Sequence, residues 1–256
     1  GLVTGYAGWM YDLARGDLGT SMRSNRNIAH DLRERIAPTI EMTIVALISA
    51  ILIGIPIGSL SAIRQEKAID HVSRSIAVLL VAIPHFWLGL LCLTFGFQWF
   101  GWVPPVRYAQ LWENAGVNFQ LVVIPGLILG AGISASVMRL TRSAMLEVLR
   151  QDYVRTARSK GLAGSTVLMR HALRNALIPI VTILGIQVPL LMSGTVVLES
   201  IFSIPGIGTY LIAALQQRDY SVIQAVVVAS ALIVLVTNLV VDLSYSIIDP
   251  RVGSGS

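Results

Sequence analysis

Five long stretches of the chain carry no charged residue: 42–63, 75–106, 114–138, 175–198 and 220–241, of 22, 32, 25, 24 and 22 residues. Each exceeds the roughly 20 apolar residues that a helix needs to cross a bilayer. Runs such as Thr43 to Ile53 are apolar on every side and lack the alternation of a transmembrane strand. The pattern predicts an all-α polytopic membrane protein with five transmembrane helices. Residues 1–38 form a segment ahead of the spans, 39–249 the transmembrane domain and 250–256 a tail.

Composition agrees, since only 13% of the 256 residues are charged against roughly 25% in a soluble domain. The single cysteine, Cys92, allows no intrachain disulfide and reads as a packing residue. The closing Gly253-Ser254-Gly255-Ser256 has linker composition and takes no part in the fold reading. Charge settles orientation. Loops 64–74 and 139–174 together with Arg251 hold 12 of the 19 Lys and Arg residues, which places them in the cytoplasm and 1–38, 101–118 and 200–219 outside. Arg33 and Arg35, beside the first span, depart from that rule. Because the basic residues cluster beside spans, the net charge of +5 reads as topology and lipid-headgroup contact, with no nucleic-acid partner.

Breaks in the spans carry a second layer of information. Pro56, Pro84, Pro125, Pro179 and Pro189 fall inside them and read either as hinges of a gate or as kinks without function. Gly54 with Gly58, and Gly126 with Gly130, have the spacing that lets two helices approach closely.

Chemistry is sparse. No zinc-binding His-Glu-x-x-His pattern and no phosphate-binding loop occurs, so no catalytic, metal or cofactor residue is assigned, and ATP-driven work would need a partner. Ser134 or Ser193 with His85 is the combination that spacing leaves open for an intramembrane serine hydrolase. A carrier would often place ionisable residues inside its spans, whereas Glu41, Glu199 and Asp242 sit at or near span ends and read as hydrated or capped carboxylates. A stand-alone channel or secondary carrier is the alternative in a different class.

The longest cytoplasmic loop, 150–175, looks structured. Asp152 reads as the N-cap of a short helix through Lys160, with Gly161 just past its end, and Ser165 as the cap of a second helix entering the next span. Val154, Ala157 and Gly161 share a face beside Tyr153, while Arg155 and Arg158 project elsewhere. Such a helix suits either a membrane surface with snorkelling arginines or a groove on a protein partner.

This loop carries a resemblance. Asp152-Tyr153-Val154-Arg155-Thr156-Ala157-Arg158-Ser159-Lys160-Gly161-Leu162, followed by Arg170-His171-Ala172-Leu173-Arg174-Asn175-Ala176 and Pro179, closely resembles the cytoplasmic "EAA" loop of ABC importer permeases of the dipeptide/oligopeptide/nickel family, with Arg155-Thr156-Ala157 in place of the general Glu-Ala-Ala. Gly16-Asp17-Leu18-Gly19-Thr20-Ser21, Glu199 to Gly208, Asp242 to Tyr245 and Asp249-Pro250-Arg251 agree with the same family. Pro84-His85-Phe86-Trp87-Leu88-Gly89 looks like its B-type subunit. The match covers nearly the whole chain.

The resemblance implies a type I ABC importer permease fold with a further span ahead of residue 1, hence six spans in the full-length protein and a cytoplasmic N-terminus. It implies a bacterial inner-membrane machine that imports di- or oligopeptides, or another solute of the family: a nickel chelate, haem or glutathione. The partners would be a C-type permease subunit, two cytoplasmic ATPases that hold the ATP and Mg, and an external solute-binding protein. Asp152, Tyr153, Arg155, Thr156, Ala157, Arg158, Lys160, Gly161 and Leu162 would form the coupling helix that seats on the ATPase. Glu199, Phe202, Pro205, Gly206 and Gly208 would shape the external mouth.

Overall fold

The computed structural model describes residues 2–159 and 173–248. Among them the regular elements are helices: α1 (Leu2–Ala14), α2 (Ile28–Ile63), α3 (Ala68–Ala82), α4 (His85–Phe100) and α5 (Ala115–Asn118), which passes through a π-helical turn (Phe119–Val123) into α6 (Ile124–Leu149). The short α7 (Asp152–Ser159) follows, then α8 (Arg174–Ile201), α9 (Ile207–Gln217) and α10 (Tyr220–Ile248).

Three helical segments, Ile28–Ile63, Ala115–Leu149 and Tyr220–Val241, are long and apolar enough to cross a membrane singly. Two more spans result if each of two bent helix pairs is taken as one: α3 with α4, at 93°, and the two parts of α8, Pro179–Leu191 and Thr195–Ile201, at 49°. Counted so, the five expected spans are present, but the second is not one straight helix. Ile83 adopts an extended conformation (φ −87°, ψ 121°) because the ring of Pro84 disfavours a helical residue before it and supplies no N–H. Pro38 and Pro56, by contrast, lie within a continuous α2. That helix begins at Ile28, capped by Asn27, whose side chain accepts from the His30 amide at 3.1 Å. Its first turns therefore belong to the segment expected to be external. At ~1.5 Å per residue the 36 residues of α2 overreach a hydrocarbon layer of ~30 Å.

The centre of the fold is the seam between α2 and α6, and glycine spacing makes it. A Cβ on Gly54 would stand 2.8 Å from Val137 Cβ, and one on Gly58 only 2.5 Å from the Met138 carbonyl oxygen. From the other side, a Cβ on Gly126 would lie 2.8 Å from Val45 Cβ, and one on Gly130 2.8 Å from the Ala46 carbonyl oxygen. Each helix thus admits the other's backbone at two levels, the close approach expected of that spacing. Met42, Ala46, Leu129, Ile133 and Val137 fill the seam, and Leu198 and Phe202 of the α8 end extend the same cluster. Cys92 is half-buried in α4. Many large apolar side chains face outward, among them Leu52, Leu190, Leu235 and Leu239, as on a surface solvated by lipid or covered by other subunits.

Candidate functional site

Two clusters of polar side chains lie at opposite ends of the seam. One lies toward the end of α6 that leads into α7. This helix begins at Asp152, which therefore sits in its first turn, where a carboxylate favours the positive helix end, and not at the N-cap position the sequence suggested. Val154 is fully buried against Val148 and Leu149 of the preceding helix, while Asp152, Tyr153 and Thr156 are exposed. One apolar anchor on α6 and a polar, aromatic outer face make α7 a protruding knob. Arg155, Ala157 and Arg158 belong to this helix. Lys160, Gly161, Leu162 and Ser165 lie outside the described residues.

At the same end of the seam sits a group that the sequence does not single out. Asp70, in the first turn of α3, has no exposed surface. It accepts from Arg142 Nε at 2.7 Å and Nη2 at 2.8 Å, from Ser61 Oγ at 2.6 Å and from the Glu66 amide at 3.0 Å. Arg74 Nε lies 3.7 Å away. One carboxylate thus joins α2, the turn after it, α3 and α6, through the parallel fork geometry that guanidinium and carboxylate share. The only signal in the sequence was the rarity of charge. Nothing in the spacing links positions 70 and 142.

At the other end, Glu199 is fully buried, so the hydrated reading fails and a capping role replaces it. Thr39 donates its hydroxyl to Glu199 Oε1 at 2.6 Å, and the Thr209 amide donates to Oε2 at 2.9 Å. Thr39 Oγ1 in turn accepts from the Ile207 amide at 3.0 Å. The first amides of α9 are unpaired within their own helix, and its N-cap, Gly206, has no side chain to offer. Thr39 from α2 and Glu199 from α8 serve in its place. A Cβ on Gly206 would collide with the Glu199 carboxyl group, and one on Gly208 would stand 2.6 Å from Val196 Cα. Phe202 is buried beneath this knot, and of the five residues assigned to the mouth Pro205 alone is exposed. The others build the turn from within.

Three further contacts pin the outer surface. The Ser21 hydroxyl and the Met22 amide donate to Asp219, and Arg23 Nε donates to the Gln217 carbonyl at 2.9 Å. Hydrogen bonds from Ser21, Val222, Met22 and Arg23 hold the Asp219 carboxyl below its usual range, against a burial effect in the opposite direction. Tyr108 and Asn118 both donate to Glu41, at 3.0 and 2.7 Å. Arg35 stacks its guanidinium 4.5 Å from the centre of the Tyr210 ring, which gives that exception to the charge rule a local partner. The hydrolase reading of Ser134 with His85 finds no support. Ser134 donates to the Gly130 carbonyl at 2.6 Å, and His85 Nδ1 is buried with no hydrogen-bond partner among the described residues.

Residues 54–254 match the family model of the binding-protein-dependent transport system inner membrane component. The chain is 41% identical to the dipeptide transport system permease protein DppB of Alkalihalophilus pseudofirmus, over 96% of this chain and 80% of that protein. It is 39% identical to the oligopeptide transport system permease protein AppB of Bacillus subtilis, over 96% and 79%. Against the glutathione transport system permease protein GsiC of Salmonella typhi the identity is 38%, over 95% and 78%. Among solved structures, a chain of the MetNI methionine ABC transporter in an inward-facing conformation superposes with a TM-score of 0.68 at 18% identity, covering 86% of this chain and 96% of that one. That likeness is one of fold.

Proposed function

The chain belongs to the family of binding-protein-dependent transport system inner membrane components, and from that premise we propose that it is the membrane subunit through which a bacterial ABC importer admits di- or oligopeptides, driven by ATPases bound to α7. It is a permease of the inner membrane and not an ATPase, so the channel and carrier alternative lapses. ATP and Mg are bound by the two partner ATPases, a C-type permease completes the pathway, and an external solute-binding protein delivers the peptide.

The observation that carries the coupling role is the form of α7. It is fixed to α6 by the buried Val154 and offers Asp152, Tyr153 and Thr156 outward, as a docking element must if a push on it is to reach the spans. Arg155, Ala157, Arg158, Lys160, Gly161 and Leu162 complete this element in our reading. The turn built on Glu199, Phe202, Pro205, Gly206 and Gly208 shapes the external mouth.

Replacing Ala157 by Trp tests the docking. In a complex purified with its ATPases, Ala157→Trp should leave membrane insertion normal, yet abolish peptide-stimulated ATP hydrolysis and uptake together and weaken ATPase retention. A helix that merely lies on the membrane would accept Trp readily. Wild-type uptake and ATPase retention in this variant would defeat the proposal.

A further inference from the structure

We infer that Asp70 and Arg142 are positioning residues for energy coupling, an ionic clamp that makes α2, α3 and α6 move as one body with the knob α7. The inference rests on the docking role proposed for α7. Four observations carry it.

First, Arg142 lies on α6 seven residues before its end at Leu149, about 10 Å along the helix at ~1.5 Å per residue, and α7 follows after two intervening residues. The clamp is therefore the polar group that a displacement of α7 meets soon after it enters α6. Second, Asp70 gathers donors from α2, from the turn after it and from α6: Ser61 Oγ, the Glu66 amide and both nitrogens of the Arg142 fork. Third, the turn it holds is strained. Glu66 has a left-handed backbone (φ 62°) without being glycine, a conformation that persists only when its surroundings impose it. The hydrogen bond from its amide to Asp70 is such an imposition. Fourth, the clamp continues the glycine seam. Gly58 of α2 meets Met138 and Thr141 of α6 immediately beside it, so apolar contact locks the middle of the pair and the ion pair locks its cytoplasmic end.

Without the clamp, α6 could still be pushed by α7, but the α2–α3 turn would be free to yield and absorb the motion. With it, the push reaches three helices at once. A purely stabilising ion pair would need charge neutrality alone. A positioning pair needs the fork, because only two parallel hydrogen bonds fix the orientation of α3 relative to α6.

Arg142→Lys separates the two roles, since it keeps the charge and removes the fork. The complete complex, with its ATPases and solute-binding protein, is reconstituted in liposomes, and ATP hydrolysis and uptake of a radiolabelled peptide mixture are measured together. Arg142→Lys should assemble and hydrolyse ATP, while the ATP consumed per peptide imported rises about tenfold, the scale of a lost coupling between distant sites. If Arg142→Lys does not accumulate, the double variant Asp70→Asn/Arg142→Gln, which leaves no buried charge and only the half-exposed Arg74 nearby, should assemble and show the same rise. An unchanged ratio of ATP to peptide overturns the clamp, as does failure of both variants to assemble, which would make the pair a folding element alone. If the wild-type complex itself shows no peptide uptake dependent on ATP, the proposed function fails instead, independently of any variant.

Discussion

Asp70 and Glu199 are both carboxylates without exposed surface, set at opposite ends of one helix seam, and they are satisfied by unlike means. Asp70 has a guanidinium in bidentate contact and a second arginine 3.7 Å away. Glu199 has a hydroxyl and backbone amides, and among the described residues no cation lies within ion-pair distance of it. The contrast follows from what each end holds. At the end that leads into α7 the Asp70 carboxylate faces the Arg142 guanidinium, with the Ser61 hydroxyl and the Glu66 amide beside it, so its charge is met mainly by a charge. At the outer end the start of α9 presents amides that need acceptors, and a carboxylate is what they require. An ion pair fails abruptly when one partner goes, whereas a network of dipoles loses one hydrogen bond at a time.

The sharpest break in this comparison is Arg142→Ala. It takes the bidentate partner from a carboxylate without exposed surface, leaving Arg74 at 3.7 Å as its nearest cation, and should cost about 3–5 kcal/mol of unfolding free energy in lipid bicelles. Asp70→Asn should cost visibly less, because the Arg142 side chain is 19% exposed and can turn to water once unpaired. Equal losses for the two variants would mean that the pair is hydrated in the membrane and not buried.

Next in size are the glycines that bring the two ends into register. Gly58→Leu must displace the Met138 backbone, and Gly54→Val meets Val137 and the Ser134 carbonyl at under 3 Å. Each should cost at least about 1–3 kcal/mol, the usual penalty of overpacking. Gly116→Ala, whose added carbon would lie 3.5 Å from Asn114 Oδ1, should be nearly neutral. Thermal unfolding of the three variants side by side checks this, and similar midpoints throughout would show that the seam is looser than it looks.

How much of this could be read from the chain depends on the range of the interaction. The spans follow from gaps between charges, a local property, and the glycine pairs repeat every four residues, which one helical turn explains. The knob α7 was legible because its motif is contiguous. What could not be read was pairing across the fold. Asp70 and Arg142 are 72 positions apart and Glu199 and Thr39 are 160 apart, and no periodicity connects such residues. For Glu199 the sequence left a hydrated and a capped carboxylate open, and only the turn through Gly206, which folds α9 back over it, decides for the cap. The bend at Pro84 was open to either reading from sequence, since Pro56 breaks nothing.

A smaller effect should follow at Glu199. Glu199→Gln keeps the shape and one acceptor oxygen, but an amide NH2 must then face either Thr39 or the Thr209 amide. One hydrogen bond is lost, at about 1 kcal/mol, and more only if the Thr209 amide is left without any acceptor. Thr39→Val should cost a similar amount, and the double variant should fall short of the sum, because both residues belong to one network. Additive losses would show that they act separately.

The smallest effect concerns the strap that holds residues 21–28 against the start of α10, and it depends on pH. Ser21→Ala removes one charge-assisted hydrogen bond to Asp219 and should cost about 1.5 kcal/mol, expressed locally as faster hydrogen exchange at Met22 and Val222, whose amides donate to the same carboxylate. Burial alone would raise the Asp219 pKa, but its hydrogen-bond donors prevail and lower it from the ordinary 3.8. The folded state therefore prefers the charged carboxylate, so this contribution is fully present above pH 3.8 and fades as the pH falls through the lower value of the folded protein. Protection of the strap amides, corrected for intrinsic exchange, should hold from neutrality down to that region and then collapse. In Asp219→Asn it should be weak at every pH, because the amide group cannot be protonated there and replaces a charged acceptor by a neutral one. A strap whose protection in the wild-type protein falls already near neutral pH would show that Asp219 is not the group that holds it.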